Sequence, residues 1–305
     1  MKTIDCTVVG DAMIDILLPL SGIEDIYFLS EGGVTNTKVR LSPGGSANVA
    51  FYITKLGGRS TFVGKLGDDY FGKIFLGDLE KNGIVANVSM SKGINTGVVF
   101  VLVFPNGERF FIADRGANAT LKYEDFNLDL IGDSEYVFFN GYSFQDKEIL
   151  DSIKRLLEEI ATDTSIVFNP GAPNLVKKFR DSFIDFIRQY ASVLILNEAE
   201  AEYLTERVSE REMLDSLLSL ADTVALTKGG RGSIVASQDE IYEIEALPVK
   251  AVDTTGAGDA YAGSLIYGLC QGWDVKAAGE FASKVAARIV SHPGTRVDLT
   301  NLSFQ

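Results

Sequence analysis

The sequence predicts an α/β fold, a mostly parallel central sheet with helices on both faces, on three observations. Short apolar runs recur along the chain, and amphipathic helical stretches lie between many of them. The 305 residues are enough for one large α/β domain with an appendage, or for two ordinary domains. Strands alternating with helices imply right-handed crossovers, which lay the strands parallel and cover both faces. Composition agrees, since 46% hydrophobic and 23% charged residues are typical of soluble globular chains.

The runs Thr7-Val8-Val9, Tyr136-Val137-Phe138-Phe139, Ser165-Ile166-Val167-Phe168, Val193-Leu194-Ile195-Leu196 and Thr223-Val224-Ala225-Leu226 read as buried strands. Ile149, Leu150, Ile153, Leu156, Leu157 and Ile160 fall at helical spacing, with Lys154, Arg155, Glu158 and Glu159 opposite, so this helix covers one side of the sheet. Two stretches break the rhythm. Val34 to Leu41 alternates, and Val98 to Phe104 is a continuous apolar run followed by Pro105-Asn106-Gly107 and Arg109-Phe110-Phe111-Ile112, a hairpin signal. With Ile14 to Leu20 they suggest a small antiparallel lid, from two insertions at about 14–42 and 95–115, standing over the active edge. Edge strands of the main sheet are the other reading of the same pattern.

The net charge of −14 argues against nucleic acid or an anionic bilayer as the main partner, so an anionic ligand needs local devices to hold it. Two isolated cysteines, Cys6 and Cys270, suit buried free thiols in a reducing compartment, and a cytoplasmic location is expected. The N-terminus reaches Asp5, Asp11 and Asp15 without an uninterrupted apolar segment, so neither secretion nor membrane insertion is expected.

The strongest local signal is Asp253-Thr254-Thr255-Gly256-Ala257-Gly258-Asp259-Ala260-Tyr261-Ala262-Gly263, followed by an apolar-rich stretch. Glycines opening a helix leave backbone N–H groups uncovered, and the helix dipole adds partial positive charge, so an anion sits there well. Asp259, directly after that cradle, is placed to accept a proton from a hydroxyl attacking a phosphorus atom. A plain Gly-rich turn with Asp complementing the dipole is the alternative. Other devices fail. Gly67 to Lys73 has Walker A spacing, but Ile74 replaces the Ser/Thr ligand and Asp68 and Asp69 repel phosphate. The first strand lacks the dinucleotide fingerprint, having only Gly10. With His292 the only histidine, a His/Cys zinc site lacks ligands, and there is no Gly-x-Ser-x-Gly elbow.

Four ordered motifs carry a resemblance across essentially the whole chain: Pro43-Gly44-Gly45-Ser46-Ala47-Asn48-Val49-Ala50, Asn197-Glu198-Ala199-Glu200-Ala201-Glu202, Thr227-Lys228-Gly229-Gly230-Arg231-Gly232 and Asp253 to Gly263. Together they resemble the signatures of the ribokinase-like sugar kinases of the PfkB family. The resemblance implies a single domain over 1–305, a three-layer ribokinase-like sandwich with a small β-sheet lid, and phosphoryl transfer from ATP to a hydroxymethyl group of a sugar, nucleoside or related alcohol.

By position, Asp259 resembles the family's general base and the N–H groups of Gly256, Ala257 and Gly258 its anion hole. Asn197 and Glu200 resemble the pair that organises hydrated Mg²⁺; without the family, the glutamates are a solvated helix face. Thr227, Lys228, Gly229, Gly230 and Gly232 resemble the nucleotide loop, a role compatible with a plain β-turn. Asp253 resembles the start of a monovalent-cation loop, with K⁺ the ion implied and 291–295 its other wall. His292 stands where relatives border the adenine; a surface histidine is the other reading.

At the acceptor end, Asp15 resembles the carboxylate that binds sugar hydroxyls, and Gly44, Gly45 and Asn48 line the same pocket by position. Asp11 is a further candidate, a cap or solvent-exposed residue at the end of the first strand being its other reading, and Arg115, Asn118 and Asn140 either touch substrate or shape turns. Met13 stands in place of a polar sugar contact and the Gly-Gly motif is one residue shorter, which weakens the case for ribose. A nucleoside kinase, a catalytically silent sensor on the same fold and a kinase for a vitamin-like alcohol are the competing readings. The lid, rich in Val and Phe, is expected to pair with a second copy as a homodimer.

Overall fold

The computed structural model describes residues 2–20, 38–105, 109–160, 162–297 and 299. The chain begins β1 (Ile4–Val9), β2 (Ala12–Pro19), β3 (Arg40–Gly45), α1 (Ala47–Lys55), β4 (Ser60–Gly67), α2 (Tyr70–Asn82) and β5 (Val85–Ser91). Next come β6 (Gly97–Val103), β7 (Arg109–Asp114), α3 (Leu128–Gly132), β8 (Ser134–Asn140), α4 (Lys147–Glu159), β9 (Ser165–Asn169) and α5 (Pro173–Tyr190). Then follow β10 (Val193–Asn197), α6 (Glu198–Thr205), α7 (Glu210–Leu218), β11 (Thr223–Thr227), β12 (Ser233–Ser237), β13 (Ile241–Ile244), α8 (Ala257–Cys270) and α9 (Val275–Val290).

Nine strands form one sheet in the order β13-β12-β11-β10-β9-β8-β1-β4-β5, parallel throughout except for β12 and β13 at one edge. The unbroken apolar runs follow from this. On β10, Val193 and Ile195 enter one core while Leu194 and Leu196 enter the other; on β9, Val167 opposes Ile166 and Phe168 in the same way. A strand covered on both faces has no solvent side to mark with polar residues. The first core takes Tyr52, Leu265, Phe281 and Val285 from α1, α8 and α9. The second takes Ile149, Ile153 and Leu156 from α4, and its centre is an aromatic cluster of Phe144, Phe168, Phe183 and Phe186 with ring centroids 4.7 to 5.4 Å apart. Asp146 caps α4 by accepting from the N–H groups of Glu148 and Ile149, and Ile160 lies just past its end in extended backbone.

A second sheet of four strands, β3-β2-β6-β7, stands apart from the first, so the lid reading holds and the edge-strand reading fails. One expectation needs correction: the lid is mixed, because β2 and β6 pair parallel while β3 and β7 return antiparallel to them. β2 continues from parallel β1, and β6 follows parallel β5, so both leave the main sheet in one direction. The strand expected over Val34 to Leu41 begins at Arg40; 34–37, and Asn106 and Gly107 of the expected hairpin turn, lie outside the described residues. Among the described residues no helix is long and apolar enough to cross a membrane, and Cys6 and Cys270 are free.

Candidate active site

The parallel strands end at one edge of the sheet, where open α/β sheets bind ligands. Strand register sets Asn140 beside Asn169 and Asn197 beside Thr227. The N-terminus of α8 opens onto the same edge. Gly256 caps it in left-handed conformation (φ 79°), and a Cβ there would stand 2.8 Å from the carbonyl oxygen of Thr295. Glycine is therefore required both by dihedral and by space. The first turn leaves N–H groups without acceptors inside the helix. Of the three expected to bind an anion, that of Ala257 makes a long 3.3 Å bond back to the Thr254 carbonyl. A Cβ at Gly258 would meet nothing within 4 Å.

Asp259 lies in the first turn of α8, partly exposed, and accepts a hydrogen bond from Asn48 Nδ2 at 3.0 Å. Burial raises its pKa to about 6, against the opposing effects of that bond and of the Arg296 guanidinium. Asp15, on β2, is raised to about 7 by burial and then by the negative charge of Asp259, with Arg296 opposing. Gly44 packs on it: a Cβ there would stand 2.3 Å from Asp15 Oδ2. Gly45, with φ 63°, approaches the Asp11 carbonyl as closely. Asn48 is buried in the first turn of α1.

The remaining acceptor candidates are engaged with protein groups. Arg115 forms a two-pronged ion pair with Asp11, Nε and Nη2 donating at 3.0 and 2.9 Å. Asn118 accepts from the Ala12 N–H and donates to the Ala12 carbonyl, holding the start of the lid as a neighbouring strand would. Asn140 donates to Ser46 Oγ at 2.6 Å, tying the end of β8 to the start of α1, and accepts from the Tyr142 N–H.

Two cavities meet over α8. One of about 470 Å³ has an apolar lining that includes Leu247, Val249, Ala286 and Val290, together with Gly229, Gly230 and Gly232. The other, about 180 Å³, is lined by Asn169, Asn197, Glu200 and Asp259 among others. Both reach Thr227 and Gly258. An apolar cavity thus meets a polar one beside the helix N-terminus.

Asn197 and Glu200 form a reciprocal cap on α6: Asn197 Oδ1 accepts from the Glu200 N–H at 3.0 Å, and Glu200 Oε2 from the Asn197 N–H at 2.9 Å. Glu200 is 3% exposed, and burial raises its pKa to about 7 against those bonds. Among the described residues no guanidinium or ammonium pairs with it. A buried carboxylate in an oxygen-lined chamber suits a hydrated divalent ion, and among the described residues no three-residue His/Cys/Asp/Glu cluster offers a direct cage.

Some expected residues stand elsewhere. The Lys228 amine pairs with Glu210 at 3.0 Å, and Arg231 with Glu198, so neither charge is free for phosphate. The His292 ring turns back to the Arg288 carbonyl at the end of α9 and does not line the apolar cavity. Asp253 accepts from the N–H groups of Thr255 and Gly294 and from Arg109 of the lid. Sequence reasoning missed Leu247 and Val249, whose signal was an apolar stretch outside any regular element, and missed Arg109 and Arg296, which have no local signature.

Phosphoryl transfer needs a donor pocket, a cradle for the moving group and an acceptor chamber closed from water, in that order along one line. This edge brings an apolar cavity, a helix N-terminus and a polar cavity together, and with the family match below it defines the protein as a ribokinase-like kinase of sugar- or nucleoside-type alcohols. The chain belongs to the pfkB family of carbohydrate kinases, whose profile matches residues 3–302. It is 31% identical over 266 residues to a fructokinase of Solanum tuberosum, covering 84% of this chain and 78% of that one. An uncharacterized sugar kinase of Archaeoglobus fulgidus is 28% identical over 251 residues, 81% of this chain and 97% of its own. The crystal structure of adenosine kinase from Sinorhizobium meliloti superposes with a TM-score of 0.88 at 25% identity, covering 96% of both chains.

Proposed function

We propose that this single kinase domain with its discontinuous lid transfers the γ-phosphoryl group of ATP to a hydroxymethyl group of a neutral sugar or nucleoside. The observation that carries the reading is the position of Asp259 and the α8 N-terminus where the apolar and polar cavities meet. The adenosine end fills the apolar slot beside Gly229 and Gly230. The backbone of Gly256 to Gly258 receives the migrating phosphoryl group, and Asp259 takes the proton of the attacking hydroxyl. Asp15 accepts hydroxyls of the acceptor. Asn197 and Glu200 hold hydrated Mg²⁺, which when bound neutralises phosphate charge.

Neutrality of the acceptor follows from the charge count. Arg115 is paired with Asp11 and Arg296 with Asp78, and among the described residues Asp15 and Asp259 make no direct ion pair, so an acidic acceptor adds a negative charge beside two carboxylates that Arg296 offsets only from a distance. ADP release across pentoses, ketohexoses, nucleosides, acidic sugars and pyridine or pyrimidine alcohols tests this. Turnover of a neutral sugar or nucleoside supports it; turnover of only an acidic sugar or only a vitamin-like alcohol overturns it.

The lid also supplies an association surface. Register sets Leu41, Ile16, Phe100 and Ile112 in one cross-strand row on the face opposite Asp15, with Leu41, Phe100 and Ile112 46%, 45% and 65% exposed. We assign this row to pairing with a second copy, in a cytoplasmic homodimer. Sedimentation at micromolar concentration gives a dimer that Phe100→Glu dissociates; a monomer in the unaltered protein rejects the assignment.

A further inference from the structure

Arg109 stands at the start of β7, the return strand of the lid, yet its guanidinium reaches the loop that opens α8. Nη2 donates to Asp253 Oδ1 at 2.7 Å, with the two side chains 20% and 9% exposed. The rest of that carboxylate is committed: Oδ1 also accepts from the Thr255 N–H at 2.8 Å, and Oδ2 from the Gly294 N–H at 2.9 Å. Burial works against ionisation, but the N–H groups of Gly294 and Thr255 and the guanidinium hold Asp253 below the usual carboxylate range. Asp253 is an anion whose neutralising charge comes from the lid.

A monovalent cation fits this site poorly. It would need the same carboxylate oxygens and would meet a guanidinium already bonded to them, a like-charge contact in a poorly solvated setting. We propose that Arg109 does the work of such a cation: it is a positioning residue that brings positive charge to the wall of the phosphate cradle only when the lid is closed. The route is short. Asp253 is three residues before Gly256, and its bond to Gly294 ties the loop to the segment whose Thr295 carbonyl walls Gly256. Lid opening withdraws the guanidinium and leaves an uncompensated carboxylate near the triphosphate. The cradle is then completed by closure over the acceptor, which restrains wasteful hydrolysis of ATP.

This inference rests on the kinase reading, so its test has an arm that does not need turnover. With an acceptor that the panel identifies, initial rates are compared in KCl, NaCl and choline chloride at equal ionic strength. The unaltered enzyme is expected to vary less than about twofold. Arg109→Ala is expected to lose about tenfold or more in kcat, with a smaller change in acceptor KM and partial recovery in K⁺ but not in choline. Arg109→Lys is expected to keep more activity than the alanine variant. Strong K⁺ activation of the unaltered enzyme, or an unimpaired Arg109→Ala, overturns the proposal. Hydrogen exchange on the ligand-free protein is the independent arm: Arg109→Ala is expected to speed exchange across 253–258 while α5 keeps its protection. Unchanged exchange there rejects the proposal even if no acceptor is turned over, an outcome that would separately refute the kinase reading.

Discussion

Asn48 donates Nδ2 to Asp259 Oδ2 at 3.0 Å while its own Oδ1 accepts from Arg296 Nε at 2.9 Å. Because a guanidinium can only donate, the Asn48 oxygen must face Arg296 and its NH₂ must face Asp259. Arg296 is anchored in turn by Asp78 of α2. The first turn of α1 thus delivers a fixed donor to one oxygen of the proposed base, leaving the other for the acceptor's proton. Arg296→Gln or Asn48→Ala removes an influence that holds Asp259 down, so its pKa climbs from about 6. The acid limb of the kcat profile is expected to move up by about one pH unit, a shift that a merely structural residue would not cause. A pH–rate profile that only drops in height argues against the relay.

Asp259→Asn keeps the shape of the side chain and the space around it but abolishes its basicity. A positioned general base contributes about 10²- to 10⁴-fold, so kcat is expected to fall by that factor. ATP binding, which the proposed function assigns to the apolar slot and the glycine cradle, is expected to persist. Near-normal turnover in Asp259→Asn removes this residue from the chemistry.

Three carboxylates in the site are held above their ordinary values: Asp15 at about 7, Asp259 at about 6 and Glu200 at about 7, each chiefly by burial. Unfolded carboxylates titrate near pH 4. Between about pH 4 and 7 the ligand-free folded state therefore holds protons that the unfolded chain has released. The stability these groups contribute is fully present below that window and is lost as pH rises through it. Asp69 and Asp253 are lowered instead, and what they contribute is lost only as pH falls below about 4. Asp15→Asn removes one of the raised groups. It is expected to narrow the drop in Tm between pH 5 and pH 8 by about 2–4 °C. An identical drop in the variant contradicts the assignment.

What the sequence made legible was whatever is local. The helix covering the second core shows in the spacing of Ile149, Ile153 and Leu156, and the α8 cradle shows in consecutive residues because one turn builds it. The lid was visible through the apolar run Val98 to Phe104 and the hairpin signal after it, but the parallel β2–β6 pairing was not, since it depends on where the main sheet releases each strand. Arg109 and Arg296 were invisible for the same reason: each meets its carboxylate across more than a hundred residues. For Asn140 and Asn118 the sequence left substrate contact and turn shaping both open, because a side-chain amide serves backbone and ligand equally well. Their distant partners, the Ala12 carbonyl for Asn118 and Ser46 Oγ for Asn140, become visible only in the folded chain.

Gly256→Ala separates cradle geometry from base chemistry. Its φ of 79° lies in the left-handed region, and the new methyl would press on the Thr295 carbonyl at 2.8 Å. Left-handed backbone costs a non-glycine residue about 1–2 kcal/mol, and relief requires the loop to turn its N–H groups away from the position they occupy. Gly258→Ala adds a methyl into open space within a helix, where alanine is favoured over glycine. Turnover in Gly256→Ala is therefore expected to fall at least tenfold, with a Tm lower by a few degrees. Gly258→Ala should keep the Tm and lose activity only as far as its methyl crowds the phosphoryl group. Equal loss of Tm in the two variants contradicts the conformational role assigned to Gly256.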